Sequence, residues 1–186
     1  MRRLVGAGTL IGPGVRLGAS GGVIDRAVRV RRAGRNDAPA IALVLQAAFA
    51  EYESLYTRAA FAATTPATEA IGRRLGEGPT WIALLHRTVA GTVSAVSRGE
   101  ALYLRSMAVV PEGRGLGVGR LLLEQVERYA GEQGFRCLEL STTPFLTSAI
   151  ALYERAGFGP SDGEPRELCG TPLCNMRKIL VLQPQR

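Results

Sequence analysis

The stretch Leu102–Tyr129, LYLRSMAVVPEGRGLGVGRLLLEQVERY, constrains the fold more than any other part of the chain. Leucine, valine and tyrosine over Leu102–Val110 predict a buried β-strand, which Pro111 ends because it has no backbone N–H to donate. Glycines at every second position from Gly113 to Gly119 predict a loop, and apolar residues at helical spacing after it predict an amphipathic helix. The sequence therefore indicates a strand, a glycine loop and a helix in succession.

A glycine loop that opens a helix is suited to binding an anion. Backbone without Cβ atoms can wrap closely around a ligand, and the first amides of a helix have no partners within the helix. The helix dipole also attracts negative charge, so a pyrophosphate fits this place. Arg114 and Arg120 add positive charge at its rim. The alternative is a flexible turn before an ordinary helix.

Spacing excludes two other phosphate-binding loops. The dinucleotide pattern G-x-G-x-x-G requires a third glycine where this chain has Arg120. The P-loop requires a lysine after its last glycine, and the only lysine in the sequence is Lys178. The pattern that fits is R-x-x-G-x-G, formed by Arg114, Gly117 and Gly119.

With M-A-V-V-P before it, this pattern resembles the acetyl-CoA signature of the GNAT superfamily of N-acetyltransferases. The segment Ala149–Phe158, AIALYERAGF, is similar to a second segment of that family, A-I-x-L-Y-E-x-x-G-F. The two segments follow each other in the family's order, with one helix and one strand between them. The resemblance covers about Asp25–Leu182. It implies an α/β (α+β) fold with a mixed, mostly antiparallel central sheet of six to seven strands and about four flanking helices.

The resemblance implies an enzyme that moves an acetyl group directly from the thioester of acetyl-CoA, used as co-substrate, to a primary amine. It places the pantetheine arm along the strand end at Met107, Ala108 and Val109, where a bulge parts the strand from its neighbour, and makes the Val109 amide the oxyanion donor. The residues that it assigns to the pyrophosphate are Arg114, Gly115, Leu116, Gly117, Val118, Gly119 and Arg120. An ordinary core strand is the alternative reading for Met107–Val109.

Tyr153 holds the family's tyrosine position, which implies that it protonates the departing thiolate. A phenol stays protonated at neutral pH and can therefore donate that proton. The alternative is a core aromatic residue on an amphipathic helix.

Two positions depart from the family's pattern. Ser141 stands where relatives that acetylate protein N-termini carry a glutamate, and Leu146 stands where many relatives place an asparagine against the pantetheine. Glu139 shares a strand face with Ser141 and could act as a base through water, but a solvated or salt-bridged carboxylate is the alternative. Both departures argue against the branch that acetylates ribosomal proteins, and the general base stays open.

Charge and cysteine content narrow the function classes. The net charge is +7, but the arginines are scattered and no aromatic–basic interleaving marks a base-stacking surface, so nucleic acid is not favoured. No apolar run is long enough for a membrane span.

Cys137, Cys169 and Cys174 form no disulfide framework, which favours a reducing, cytoplasmic location. His86 lies far from them in the sequence and falls in a predicted turn, so no metal site is expected.

Other periodicities predict the elements around this stretch. The remaining predicted strands are Val28–Arg32, Trp81–Leu85, Val89–Ser97, Phe135–Ser141 and Leu173–Leu182, with a tight turn at His86–Thr88. The remaining predicted helices run from the N-cap Asp37 through Pro39 to Tyr52, over Pro66–Leu75 with Thr65 as a cap, and over Thr147–Ala156.

One domain over residues 26–182 accommodates these elements. We predict a disordered, glycine-rich extension over residues 1–25 and a short tail over 183–186. Arg2 and Arg3 before an apolar segment faintly resemble a signal peptide, but glycines break that segment, and an extension or an upstream start codon is favoured over export. Gly18–Gly22 matches the G-x-S-x-G nucleophile elbow, but the sequence shows no strand pattern before it and no helix pattern after it, so we interpret the match as chance.

Three functions stay open on the sequence alone. The first is an N-acetyltransferase whose acceptor is a small-molecule or protein amine, and the second is a GNAT-like module that binds acyl-CoA with little or no transfer. The third, suggested by charge alone, is a basic nucleic-acid-binding protein. The resemblance places the acceptor pocket in loops between Glu51 and Pro79 and near Phe145 and Cys169. The oligomeric state, a monomer or a homodimer, also stays open.

Overall fold

The computed structural model describes residues 28–161 and 166–181. The predictions for residues 1–25 and 183–186, including the match at Gly18–Gly22, lie outside the described residues. Within the described ranges, no helix combines the length and the apolar character that a membrane crossing requires.

Eight strands and five α-helices form the described part of the chain. The strands are β1 Arg29–Arg32, β2 Thr80–Leu85, β3 Thr88–Arg98, β4 Ala101–Val109, β5 Cys137–Thr142, β6 Gly159–Pro160, β7 Arg166–Leu168 and β8 Thr171–Ile179. The helices are α1 Ala38–Phe49, α2 Arg58–Thr64, α3 Thr68–Arg74, α4 Val118–Glu132 and α5 Thr147–Arg155. Short 3₁₀ segments lie at Arg35–Asp37, Ala50–Leu55 and Pro111–Gly113.

The strands form one open, mixed sheet in the order β1-β2-β3-β4-β5-β8-β6, with β7 beside β8. Every neighbouring pair is antiparallel except β4 and β5, which run parallel. The predicted fold class is therefore confirmed, with one more strand and one more helix than expected. The additions are short elements such as the two-residue β6, which are too brief to produce a hydrophobic period.

Both faces of the sheet are packed. On one face α4 and α5 cover the centre, burying apolar residues of helix and sheet that include Leu102, Leu104, Val118, Leu122, Val126, Leu138, Leu140 and Tyr153. On the other face α1 and α3 cover β2, β3 and part of β4, burying Ile41, Val44, Leu45, Ile71, Ile82 and Ala108. The α1–α3 face thus covers the sheet only as far as β4, and β5 and β8 continue beyond it.

Two hairpins are closed by two-residue turns in which both residues have positive φ. His86 and Arg87 have φ of 49° and 69° between β2 and β3, and Cys169 and Gly170 have φ of 47° and 84° between β7 and β8. These turns suit the right-handed twist of the paired strands. The turn predicted at His86–Thr88 is confirmed except that Thr88 already pairs within β3.

Of the two predicted helix caps, only Asp37 stands at its predicted N-cap position. Asp37 precedes α1, but its carboxylate turns back to accept from the Gly34 amide at 2.8 Å and from both terminal nitrogens of Arg31 at 2.8 Å. The prediction for Thr65 is wrong, because α3 begins at Thr68 and the Thr65 hydroxyl donates to the Phe61 carbonyl at the end of α2. Helix α2 was not predicted, since RAAFAAT is too short and too rich in alanine to show an apolar face.

Candidate active site

Strand β4 carries a bulge just before the segment predicted to bind the pantetheine. Its pairing with β3 shifts between Thr92 and Ser94, so that Ser106 and Met107 lie opposite a single β3 residue. Ser106 has a φ of 51°, which is uncommon for a residue other than glycine. A bulge bends its strand and re-aims the residues that follow. The bulge implied by the family resemblance is therefore present.

Beyond the bulge, β4 and β5 part from one another. Their parallel pairing ends at Leu104 and Leu140, although β4 continues to Val109 and β5 to Thr142. We call the space between the two strand ends the β4–β5 gap. Within the described ranges, β4 has no ladder partner on its β5 side from residue 105 to residue 109.

The amide of Val109 faces the β4–β5 gap. The Val110 amide donates to the Ala90 carbonyl of β3 at 2.9 Å. Since neighbouring amides in a strand point to opposite sides, the Val109 N–H points away from β3 and toward the gap. The geometry predicted for an oxyanion donor is thus available, although the role itself stays a prediction.

The glycine loop leads into α4 with its amides free to bind a ligand. Gly115 and Gly117 have φ of 73° and 80°, and open space lies within 4 Å of where a Cβ would stand on either residue. No side chain caps the helix. The first amide of α4 with a backbone partner is that of Leu121, which donates to the Gly117 carbonyl at 3.0 Å. The amides of residues 118–120 therefore point out of the helix end, as an anion requires.

Gly119 has a different reason to be glycine. A Cβ on Gly119 would lie 2.8 Å from Cδ2 of Leu152 in α5, closer than packed atoms allow. A side chain at Gly119 would therefore displace the terminal methyl group of Leu152, so its position in the signature reflects packing as well as any contact with a ligand.

The two arginines at the glycine loop, Arg114 and Arg120, have different contacts. The Arg114 guanidinium donates to the Ala48 carbonyl at 3.1 Å and pairs with the Glu51 carboxylate. It ties the loop to the end of α1, an arrangement that the sequence did not predict. Arg120 has 71% of its side chain exposed and pairs with Glu124 at 3.1 Å, leaving it at the rim where a phosphate would approach. Leu116 is half exposed between them.

Tyr153 lies on α5 with 6% of its surface exposed, and its ring centroid is 5.9 Å from that of Phe158. Burial raises its pKa above the usual value for a phenol, and the nearby Tyr103 and Tyr56 add to the rise. No hydrogen-bond partner for its hydroxyl occurs in the part of the chain that the structure describes. The Tyr153 hydroxyl is thus protonated and free to donate a hydrogen bond. The ring also packs in the hydrophobic core, as the alternative interpretation of a core aromatic residue predicts.

The face of β5 opposite α4 carries polar residues that pair with β8. The Glu139 carboxylate is 3.6 Å from Nε of Arg177, and the Ser141 hydroxyl donates to Oδ1 of Asn175 at 2.8 Å. Glu139 and Ser141 share a face as predicted, and Glu139 forms the salt bridge that was one of its two readings. The ion pair makes Glu139 a weaker candidate for a base.

The walls predicted for the acceptor pocket contact each other. The Thr57 hydroxyl donates to the Cys169 carbonyl at 2.7 Å, and the Thr57 amide donates to Oγ1 of Thr171 at 3.1 Å. These bonds join the start of α2 to the β7–β8 hairpin. Phe145, which follows β5, lies edge-on to Tyr56 with ring centroids 4.8 Å apart. The structure thus brings together segments that are more than 100 residues apart.

Three polar residues near the predicted acceptor pocket were not identified as candidate site residues from the sequence: Arg74, Arg105 and Thr143. Thr143 is 3% exposed and its hydroxyl has no hydrogen-bond partner among the described residues that meets ordinary geometry. Burial raises the pKa of Tyr56, and the neighbouring Thr143 hydroxyl offsets part of the rise. A buried hydroxyl without a well-formed hydrogen bond is suited to a polar group of a ligand. Its neighbours come from distant segments, so the sequence carries no signal for it.

The donor set suits coenzyme A. Free amides at a helix start suit a pyrophosphate, and the unpaired strand edge at the β4–β5 gap suits the amides of a pantetheine arm. Across residues 28–161 and 166–181, no group of three or more His, Cys, Asp or Glu side chains gathers. Cys137 is buried, and its sulfur accepts from Nη2 of Arg177 at 3.2 Å.

The sequence model of the acetyltransferase (GNAT) family matches residues 42–158, and the chain belongs to this family. It is 38% identical over 72 residues to the uncharacterized N-acetyltransferase YhfO of Bacillus subtilis (strain 168), a match that covers 39% of this chain and 48% of the relative. It is 33% identical over 84 residues to N-acetyltransferase 8B of Homo sapiens, covering 42% of this chain and 37% of the relative. The chain thus spans less than half the length of either relative.

Solved structures share the fold over most of the chain. The PaiA N-acetyltransferase of Thermoplasma acidophilum, solved in complex with coenzyme A, has a TM-score of 0.71 at 15% identity, covering 83% of this chain and 99% of its own. The ribosomal-protein-S18-alanine N-acetyltransferase of Escherichia coli has a TM-score of 0.68 at 19% identity, covering 86% and 97%. These likenesses confirm the fold that the resemblance implied.

Proposed function

We propose that the protein is an acetyl-CoA-dependent N-acetyltransferase that moves the acetyl group directly to a primary amine. The observation that carries this proposal is the β4–β5 gap, which has the Val109 amide on one strand and Tyr153 on the helix that follows the other. Membership of the acetyltransferase family supports it, as does the coenzyme A bound to a protein of the same fold.

Two backbone surfaces bind the co-substrate. The amides of residues 118–120, with Arg120 at the rim, hold the pyrophosphate at the start of α4. The free edge of Met107–Val109 pairs with the pantetheine arm as an added strand would. The co-substrate supplies the activated acetyl thioester. Arg114 supports the loop from beneath through Ala48 and Glu51.

Two donors act during transfer. As the amine attacks, the carbonyl oxygen of the thioester gains negative charge, and the Val109 amide is oriented to stabilise it. As the carbon–sulfur bond breaks, the sulfur takes the electron pair, and Tyr153 donates its proton to the thiolate. Since burial holds the pKa of Tyr153 above its usual value, the phenol keeps that proton across the working pH range.

The amine must lose its own proton to react. Glu139 is paired with Arg177, so we assign the removal of this proton to water. The rate with a given amine should then follow the fraction of that amine that is neutral, and kcat/KM should rise with pH toward the pKa of the amine.

The test is transfer of acetyl groups to a panel of primary amines, detected as acetylated product by mass spectrometry and as released coenzyme A. Direct transfer predicts no release of coenzyme A when the amine is omitted, whereas a burst of one equivalent would indicate an acyl-enzyme and contradict the mechanism. Acetyl-CoA binding without transfer to any amine would favour the second candidate, an acyl-CoA-binding module, for which Leu146 and the Glu139–Arg177 pair argue.

The cellular location is a separate part of the proposal. Cys137, Cys169 and Cys174 are free thiols in the structure, which supports a reducing, cytoplasmic compartment. Loss of activity under oxidising conditions that form disulfides would agree with this assignment, whereas a disulfide in protein purified from its native source would contradict it.

A further inference from the structure

Two arginines with few acidic partners lie beside the bulge of β4. Arg105 of β4 pairs through Nη2 with Oε2 of Glu77 at 2.5 Å. Arg74, in the last turn of α3, has its Nη1 at 3.5 Å from the Ser106 hydroxyl and its Nη2 at 3.4 Å from the Ala63 carbonyl. We call Arg74 and Arg105 the arginine pair.

The contacts of the arginine pair are weak for guanidinium groups. Charge-assisted hydrogen bonds are usually about 2.7–2.9 Å long, well below the two distances at Arg74. Nε of Arg105 is buried and has no acceptor within the described ranges. Burial lowers the pKa of Arg74, and the charge of Arg105 lowers it further, while Glu77 offsets part of this. The carboxylate of Glu77 thus neighbours two partly buried guanidinium groups.

The arginine pair lies on the sheet face opposite α4, and Arg74 contacts the Ala63 carbonyl of α2, within the segment predicted to line the acceptor pocket. Arg105 and Tyr103 are two residues apart in β4 and share a face, and Tyr103 is close enough to Tyr153 to influence its pKa. The Arg98 guanidinium lies 3.5 Å over the Tyr103 ring and adds positive charge to the same face. Helix α4 and its glycine loop lie on the opposite face, so the phosphates of coenzyme A do not account for the pair.

We infer that the acceptor is a primary amine that also carries a carboxylate, and that Arg74 and Arg105 bind this carboxylate while the amine reaches the β4–β5 gap. The inference rests on the proposed acetyltransferase function. A planar carboxylate matches the fork of a guanidinium and would supply the acceptor that Nε of Arg105 lacks. It would also balance the second positive charge, which Glu77 leaves uncompensated.

The experiment compares straight-chain amino acids from glycine to 6-aminohexanoate with the corresponding alkylamines as acceptors. We expect at least one amino acid to be used about tenfold or more better than its alkylamine. Arg74→Gln should lower kcat/KM for that amino acid by about 10- to 100-fold, since hydrogen bonds to charged groups are of this strength. The same change should leave the alkylamine and the KM for acetyl-CoA within about twofold.

Matched variants keep the result interpretable. Arg73→Gln removes an exposed arginine from the same turn of α3 and should change neither acceptor. Arg74→Lys keeps the charge without the planar fork and should restore part of the preference. Thermal unfolding of each variant shows whether the fold survives. Equal loss with both acceptors in a folded Arg74→Gln variant would overturn the inference.

The outcomes separate this inference from the proposed function. Transfer to amines with no preference for a carboxylate would overturn the inference and leave the proposed function standing. If no amine is acetylated, calorimetry with the straight-chain amino acids from glycine to 6-aminohexanoate, each added to protein saturated with coenzyme A, decides the matter. Binding that Arg74→Gln abolishes would support the carboxylate site while the proposed function fails, and no binding to the wild type would overturn the site itself.

Discussion

Replacing Tyr153 by phenylalanine should remove the proton donor and leave the fold intact. The ring that packs 5.9 Å from Phe158 is retained. The hydroxyl has no hydrogen-bond partner among the described residues, so its removal leaves no other group unpaired. The free energy of unfolding should therefore change by less than about 1 kcal/mol, or about 2–4 °C in Tm for a domain of this size.

The effect on turnover should be far larger than the effect on stability. General acid catalysis contributes about 10²- to 10⁴-fold, and we expect kcat to fall by about 10²- to 10³-fold, or about 3–4 kcal/mol of transition-state stabilisation. The KM for acetyl-CoA should stay within about twofold, because the hydroxyl acts on the sulfur only as the thiolate departs. The assay is steady-state release of coenzyme A with a good amine acceptor.

A matched control is Tyr129→Phe, which removes a hydroxyl from α4 whose ring packs on Trp81, away from the β4–β5 gap. It should leave kcat unchanged. The pH profile adds a second readout, since the raised pKa of Tyr153 predicts that the wild-type rate does not fall with rising pH below about pH 10, the usual phenol value. A kcat for Tyr153→Phe within twofold of the wild type would refute the assignment.

Three further predictions test the loop and the fold. Arg120→Glu should weaken acetyl-CoA binding in calorimetry by about tenfold through charge reversal at the rim, whereas Arg128→Glu, later on the same helix, should not; equal effects would contradict the pyrophosphate site. Asp37→Asn should lower the free energy of unfolding by at most about 1 kcal/mol at pH 7, because the Arg31 guanidinium holds the pKa of Asp37 below its ordinary value while solvent screens this exposed pair. This stabilisation is present above the ordinary carboxyl pKa of about 3.9 and is lost as pH falls through the lower folded value, so wild type and variant should converge in acid. Arg87→Gly should raise stability by about 1 kcal/mol by relieving the φ of 69°, and a lower Tm would show that the turn is not strained.

Much of the framework could be predicted because its signals are local. The predicted strand Leu102–Val110 matches β4 at Ala101–Val109, and the predicted helix Thr147–Ala156 matches α5 at Thr147–Arg155. Buried apolar periods and glycines at loop ends specify such elements within a few residues. The glycine loop was identified by the same kind of signal.

The remaining features arise from contacts that no local pattern encodes. The packing of Gly119 on Leu152 depends on where α5 crosses α4, and Arg114 finds its partners at the end of α1. The arginine pair joins a helix end to a strand more than 30 residues later. Arg114 and Gly119 stand out in the sequence only as members of the glycine-loop pattern, and Arg74 reads as a solvated arginine. The contacts of all three follow from the tertiary arrangement.

The central claim is that the backbone at the β4–β5 gap stabilises the acetyl-transfer transition state, and Val109 allows a direct test. Val109→Pro removes the amide that faces the gap without breaking a ladder bond to β3, since the neighbouring Val110 makes that bond. Val109→Ala shortens the side chain and keeps the amide. Single-turnover rates of acetyl transfer should fall by about 10²- to 10³-fold in a folded Val109→Pro variant and by much less in Val109→Ala. Equal rates in the two folded variants would contradict the account.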